Sequence, residues 1–156
     1  MPPIATVFRT DDSDLSDLAA LRYQWRSVER DEQGLSHEEF EASFREWYGA
    51  HRASHVGYLA TVGDVRVGCA WLVVIDRVPG PGKFLRLSGM VQSVYVLPEY
   101  RSRGIGSEMM GTLCDEARSM GLDYLMVHPS IESFPFYRRL GFAGADKALE
   151  LRFALT

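Results

Sequence analysis

The run from Met90 to Ser107, MVQSVYVLPEYRSRGIGS, constrains the fold of this chain more than any other. Val91, Val94, Tyr95 and Val96 are β-branched or aromatic and predict a strand, which Pro98 stops. A short polar loop follows, and a helix begins near Gly104. A helix that starts on Gly104-Ile105-Gly106-Ser107 leaves backbone N–H groups uncovered at its positive end, which makes a site for an anion and above all for phosphate. Arg101 and Arg103 flank that end and add positive charge. A strand feeding a helix here, with antiparallel strands in the front half of the chain, argues a mixed α/β sheet rather than a doubly wound one.

The strand itself carries a second constraint. Its apolar residues fall on odd positions early (Leu85, Leu87, Val91) and include even positions later (Val94, Val96). A one-residue change of parity moves side chains to the other face, so a β-bulge is expected near Gln92-Ser93. A central strand bent there would part from its neighbour and open a slot beside the phosphate cradle.

Before this region, Ile4 to Arg9 is β-like, and Asp11-Asp12-Ser13 supplies N-cap chemistry. A helix with Leu15, Leu18, Leu21, Trp25 and Val28 on one face follows, and Gly34 breaks it. Ser36 to Glu39 reads as a capping box for a second helix bearing Phe40, Phe44, Trp47, Tyr48 and His51 at helical spacing. Two amphipathic helices so placed pack on a sheet and could wall a substrate cleft. Val56–Val62 and Val65–Ile75 read as strands joined by a tight turn at Gly63-Asp64.

After the cradle, a helix carries Ile105, Met109, Leu113, Ala117 and Met120 on one face and ends at Gly121. Gly111 inside it suggests close packing on the sheet. Asp123 to His128 predicts another strand. Ser130 to Leu140 predicts a short helix, with Pro135 allowed only in its first turn. The alternation from Ala148 to Leu155 suggests a last strand after a turn at Asp146-Lys147, and its edge could pair with a second copy in a homodimer.

Composition narrows the function classes. A chain of 156 residues, 46% of them hydrophobic, can bury a core as one domain spanning 1–156 without metals or disulfides. A net charge of −4 argues against a nucleic-acid partner. No apolar run reaches transmembrane length and no leader pattern opens the sequence, so no membrane partner and a cytoplasmic location are expected. Cys69 and Cys114 lack metal-ligand spacing, His37, His51 and His55 are scattered, and no metal site is expected.

Two familiar phosphate loops are excluded by their residues. A Walker A loop needs GxxxxGK[ST], which is absent, and a dinucleotide fingerprint needs a third glycine where Met109 stands. The segment Arg101-x-x-Gly104-x-Gly106, preceded by Val94-Tyr95-Val96-x-Pro98-Glu99-Tyr100, instead resembles the acetyl-CoA pyrophosphate loop of the GNAT family of N-acyltransferases. Phe136-Tyr137-Arg138-Arg139-Leu140-Gly141-Phe142 resembles the family's second signature, F-Y-x-x-L-G-F.

The resemblance implies an α/β (α+β) fold: a mixed, mostly antiparallel central sheet, splayed at a bulged strand and flanked by about four helices. It implies acetyl-CoA as co-substrate and a small-molecule or peptide amine as acceptor. Residue by residue, Val94, Tyr95 and Val96 would hold the pantetheine arm through main-chain groups. Arg101, Ser102, Arg103, Gly104, Ile105, Gly106 and Ser107 would hold the pyrophosphate. Ser130 falls where many members carry an Asn that touches the cofactor arm, and Phe136 would pack on the cofactor. Tyr137 would be the general acid for the departing thiolate.

The position where some members carry a catalytic Glu holds Met90, which leaves His128, Glu132 or a water-linked group as the base. Asp31, Glu32, Glu38 and Glu39 could attract a cationic acceptor. A second reading, an acyl-CoA-binding module of the same fold without catalysis, stays open at this level.

Overall fold

The computed structural model describes residues 4–144 and 148–153. In chain order its elements are β1 (Thr6–Arg9), α1 (Leu15–Tyr23), α2 (His37–His51), β2 (His55–Val62), β3 (Val65–Arg77), β4 (Arg86–Val96), α3 (Ile105–Ser119), β5 (Leu125–Val127) and α4 (Phe134–Arg139). The five strands form one sheet in the order β1-β2-β3-β4-β5, and the first four are antiparallel. β5 runs parallel to β4. The mixed, mostly antiparallel sheet with four α-helices is the fold class expected from the sequence.

Each sheet face buries its own core, and strand alternation decides which residue joins which. Val56, Tyr58 and Ala60 of β2 pack with Ile105, Met109, Met110 and Leu113 of α3. Leu59, between them, turns to the opposite face and packs with Leu15, Leu18 and Leu21 of α1 and Tyr48 of α2. The Ser36–Glu39 capping box forms as expected, each side chain accepting from the other residue's backbone N–H. Gly63 takes a left-handed φ of 58° at the β2–β3 turn.

The bulge lies where the parity change places it. Cys69 pairs with Tyr95 and Trp71 with Gln92, so two steps along β3 match three along β4. Ser93 sits at the extra residue with φ 56°. The consequence is visible in the cores. Val91 faces α3 and Tyr95 faces α1, although both are odd-numbered residues of one strand. The residue inserted between them turns the second one over.

Beyond α1 the helix widens into a π turn over Gln24–Glu29, with the Arg30 N–H donating to the Trp25 carbonyl at 3.1 Å. The sequence pattern showed the length of this helix but not the change of winding.

Two expectations are corrected. Residues 148–153 form no strand, and Leu149, Leu151 and Phe153 stay exposed. An alternating segment becomes a strand only when a neighbour pairs with it and one face is buried, and neither condition holds. The edge invoked for a homodimer is therefore absent among the described residues. The turn at Asp146-Lys147 and residue Leu155 lie outside the described residues.

Gly111 does not pack closely either. It is exposed, and a Cβ built there meets nothing within 4 Å. Gly111→Ala is therefore expected to stabilise the fold by about 0.5–1 kcal/mol, because alanine costs less backbone entropy inside a helix. Urea denaturation measures the change; a loss of stability would show that the position is constrained after all.

Candidate active site

The site is built by one interruption in the sheet. β5 pairs with β4 only at Gly89, Met90 and Val91, so from Gln92 to Val96 that edge of β4 has no strand beside it. The Leu97 N–H donates to the Val67 carbonyl of β3 at 2.8 Å. Alternation then points the main-chain groups of Val96 and Val94 away from β3, into the opening. The Val96 carbonyl already accepts from Arg101 Nε at 2.8 Å, which leaves its N–H facing the gap.

The strand edge runs into the cradle. Ser102 and Gly104 both adopt positive φ, 61° and 81°, to turn the loop into α3, whose first residues have no side-chain cap. Gly106 lies close to another side chain: a Cβ there would be 3.3 Å from the Phe136 ring, a tight contact at the helix start. Val94, Val96, Arg101, Ser102, Gly104, Ile105, Gly106, Ser107, Phe136 and Tyr137 line a single cavity of about 490 Å³. Tyr100, Ser133 and Arg139 complete its wall and were given no site role in the sequence reading, although Tyr100 stood inside the first motif. Arg139 stood inside the second signature, which was the available signal for it.

A second cavity of about 690 Å³ occupies the gap between β4 and β5 and shares Val94, Val96, Arg101, Ser133 and Tyr137 with the first. His128, Ser130 and Glu132 stand on its β5 side, with Met90, Gln92 and Ser93 on the β4 side. Ser130 and Ser133 share a hydroxyl–hydroxyl hydrogen bond of 2.6 Å. Tyr137 is the one aromatic side chain common to both cavities. It is buried, packs edge-on against Phe136 and Phe142, and burial pushes its phenol above the ordinary value.

Tyr95 and the two arginines have other partners. The Tyr95 side chain stacks on Trp25 with ring centroids 5.3 Å apart and donates its hydroxyl to Glu29 at 2.8 Å. Arg101 binds the same carboxylate at 2.8 Å. Burial alone would raise the Glu29 pKa, but the hydrogen bonds from Arg101 and Tyr95 outweigh it and hold the carboxyl below its usual range. Glu29 thus ties the end of β4 and the loop before α3 to the π turn. Arg103 donates to the Glu99 carbonyl at 3.1 Å, lies over the Tyr100 ring and is off the cavity wall. The helix end, Arg101 and Arg139 are then the positive groups on the cradle wall.

On the α1–α2 side, three of the four acidic residues expected to attract a cation have partners within the chain. Glu32 pairs with Arg26 at 2.5 Å, Glu39 caps α2, and Asp31 accepts from Gln33 at 2.7 Å. Cys69 is buried, and burial pushes its thiol up to about 12, so it is protonated and unreactive at neutral pH. Among the described residues no helix is long and apolar enough to cross a membrane, and no group of three His, Cys, Asp or Glu side chains could hold a metal ion.

With this geometry in view, the chain can be compared with known proteins. The model of the family described as Acetyltransferase (GNAT) family matches residues 19–142. A glucosamine 6-phosphate N-acetyltransferase of Trypanosoma brucei brucei is 33% identical over 85 residues, 54% of this chain and 56% of that protein. The match therefore spans little more than half the length of the curated relative. Among solved structures, a predicted acetyltransferase from Clostridium acetobutylicum, determined with acetyl-CoA, superposes with TM-score 0.78 at 21% identity over 96% of each chain. An acetyltransferase of Trypanosoma brucei superposes with TM-score 0.71 at 26% identity, covering 96% of this chain and 100% of that one. The chain belongs to the acetyltransferase (GNAT) family.

Proposed function

We propose that this protein transfers an acetyl group from acetyl-CoA directly to a primary amine within a ternary complex. The observation that carries the reading is the continuity of the two cavities through Val94, Val96 and Tyr137. A pyrophosphate on the α3 N-terminus would leave the pantetheine arm along the open β4 edge, with the thioester in the gap beside Tyr137. The Val94 and Val96 main-chain groups would orient the arm, while Ser102, Gly104, Ile105, Gly106 and Ser107 would hold the phosphates through their backbone N–H groups. Phe136 closes the cradle from above.

The chemistry needs three things: a free amine lone pair, a polarised carbonyl and a proton for the departing sulfur. The amine nitrogen forms a bond to the carbonyl carbon, the carbon–sulfur bond breaks, and the thiolate takes the Tyr137 proton. A phenol held above its ordinary pKa by burial is fully protonated at neutral pH and can supply it. The proton lost by the amine goes to His128 or Glu132, both on the slot wall, or leaves through water. The protonated Cys69 thiol gives no support to a covalent acetyl-enzyme.

Initial rates with acetyl-CoA and amine both varied test the order of events. Intersecting double-reciprocal lines are expected for direct transfer; parallel lines would overturn it in favour of an acetyl-enzyme.

A further inference from the structure

A third cavity, of about 330 Å³, opens on the α1–α2 side of the sheet and meets the slot at the bulge. Arg22, Gln92 and Ser93 line both, so a ligand seated in this cavity with its amine in the slot lies against these three residues. The volume lies at the small end of small-molecule sites, roughly 300–1,000 Å³, and suits one compact substituent. Away from the slot it is lined by Leu35, Phe40, Phe44, Trp47 and Trp71, with Ser43 and His55 the polar members. The rings form a continuous set: Phe44 meets Trp47 at 5.6 Å and Trp71 at 6.0 Å, and Trp47 meets Trp71 at 5.9 Å. Burial and the neighbouring His51 both lower the His55 pKa, so this wall is uncharged at neutral pH.

The mouth is different in character. Arg22 Nη1 donates to Ser93 Oγ at 3.0 Å, and its guanidinium lies over the Trp25 ring. Unlike Arg26 and Arg101 nearby, it forms no ion pair among the described residues. A guanidinium half out of water, with four of its five N–H groups outside that hydrogen bond, favours a carboxylate or phosphate beside it. A cationic side chain at the mouth and aromatic rings inside suit a ligand that carries an anionic group beside an apolar one.

We propose that the acceptor is an amine with a carboxylate on the adjacent carbon and an aromatic or branched apolar arm, the chemistry of an apolar α-amino acid. This deepens the acetyl-transfer reading and rests on it. The carboxylate would pair with Arg22 at the bulge, which directs the amine on the same carbon towards the slot and the arm towards Phe40, Phe44 and Trp71. Arg22 is then a specificity-determining residue, not a catalytic one.

The test compares kcat/KM of the whole protein, by thiol release from acetyl-CoA, for L-phenylalanine, L-leucine, glycine, 2-phenylethylamine, glucosamine 6-phosphate and spermidine. A charge-assisted hydrogen bond contributes roughly 10- to 100-fold, so L-phenylalanine is expected to exceed 2-phenylethylamine by about that factor and glycine by a similar one. In Arg22→Met the ratio of L-phenylalanine to 2-phenylethylamine should fall towards one, and Arg22→Lys should restore part of it. Acetyl-CoA affinity, measured by calorimetry for each variant, verifies that the fold is intact. The wild-type ratio stands as evidence even where Arg22→Met does not fold. Equal rates for L-phenylalanine and 2-phenylethylamine, or a preference for glucosamine 6-phosphate or spermidine, would overturn the proposal while leaving acetyl transfer in place. Absence of turnover with every amine would overturn both.

Discussion

Gly104→Glu is expected to weaken acetyl-CoA binding by at least about 100-fold. The backbone at Gly104 has φ 81°, a conformation that costs a non-glycine residue roughly 1–2 kcal/mol. The same position begins α3, where uncapped N–H groups and the helix dipole attract phosphate. A carboxylate there competes for those N–H groups and repels the pyrophosphate, so strain and charge act together. At about 1.4 kcal/mol per tenfold the strain accounts for roughly one decade, and the lost phosphate contacts and charge repulsion are expected to supply the other.

Nothing lies within 4 Å of a Cβ at Gly104, so steric collision with the core is not the cause. Gly104→Asn separates the two effects, because asparagine tolerates the left-handed conformation and carries no charge. It should retain affinity within several-fold. Calorimetric titration with acetyl-CoA measures both variants, and unchanged affinity in Gly104→Glu would remove the loop from the site.

Tyr137→Phe is expected to lower kcat by about 10²–10⁴-fold, the usual contribution of a positioned general acid. The ring makes the packing contacts with Phe136 and Phe142, at centroid distances of 5.0 and 5.5 Å, and phenylalanine keeps them. Affinity for acetyl-CoA should therefore change little.

The pH dependence follows from the direction of the phenol shift. Burial raises the Tyr137 pKa above 10.0, so the proton-bearing form persists across neutral and mildly alkaline pH. Loss of the Tyr137 proton then produces no fall in wild-type kcat until pH passes about 10. The variant should be slower at every pH below that. Equal kcat for both proteins across this range would show that another group protonates the sulfur.

Much of this site was legible in the sequence because its parts are local. The bulge at Ser93 announced itself through a change of parity within one strand, and the cradle through glycines at one helix start. The acceptor side was not legible. Glu29 and Arg101 are 72 residues apart, and Arg22 and Ser93 are 71 apart, and no pattern near either member indicates the other. The acidic residues around the α1–α2 connection read as an acceptor surface because their partners could not be seen. In the fold, Glu32 is neutralised by Arg26, while Arg22, a residue that sequence spacing merely placed on a helix, stands without a counter-ion among the described residues.

The tail misled for a related reason. Alternation from Ala148 onward satisfies the strand pattern, but pairing depends on a free neighbouring edge, and residues 148–153 remain unpaired with their apolar side chains exposed. Gly111 shows the same limit: a glycine in a helix signals close approach only if something approaches, and here nothing does. Features encoded within one element were readable; features that depend on which elements meet required the fold.

Amine-dependent release of free thiol from acetyl-CoA tests the central claim most directly. Release that rises with amine concentration, saturates and is strongly reduced in Tyr137→Phe is the result expected of a transferase using the groove between β4 and β5. Tight binding of acetyl-CoA with no thiol released by any amine would contradict it, and would identify the same groove as a binding site without chemistry.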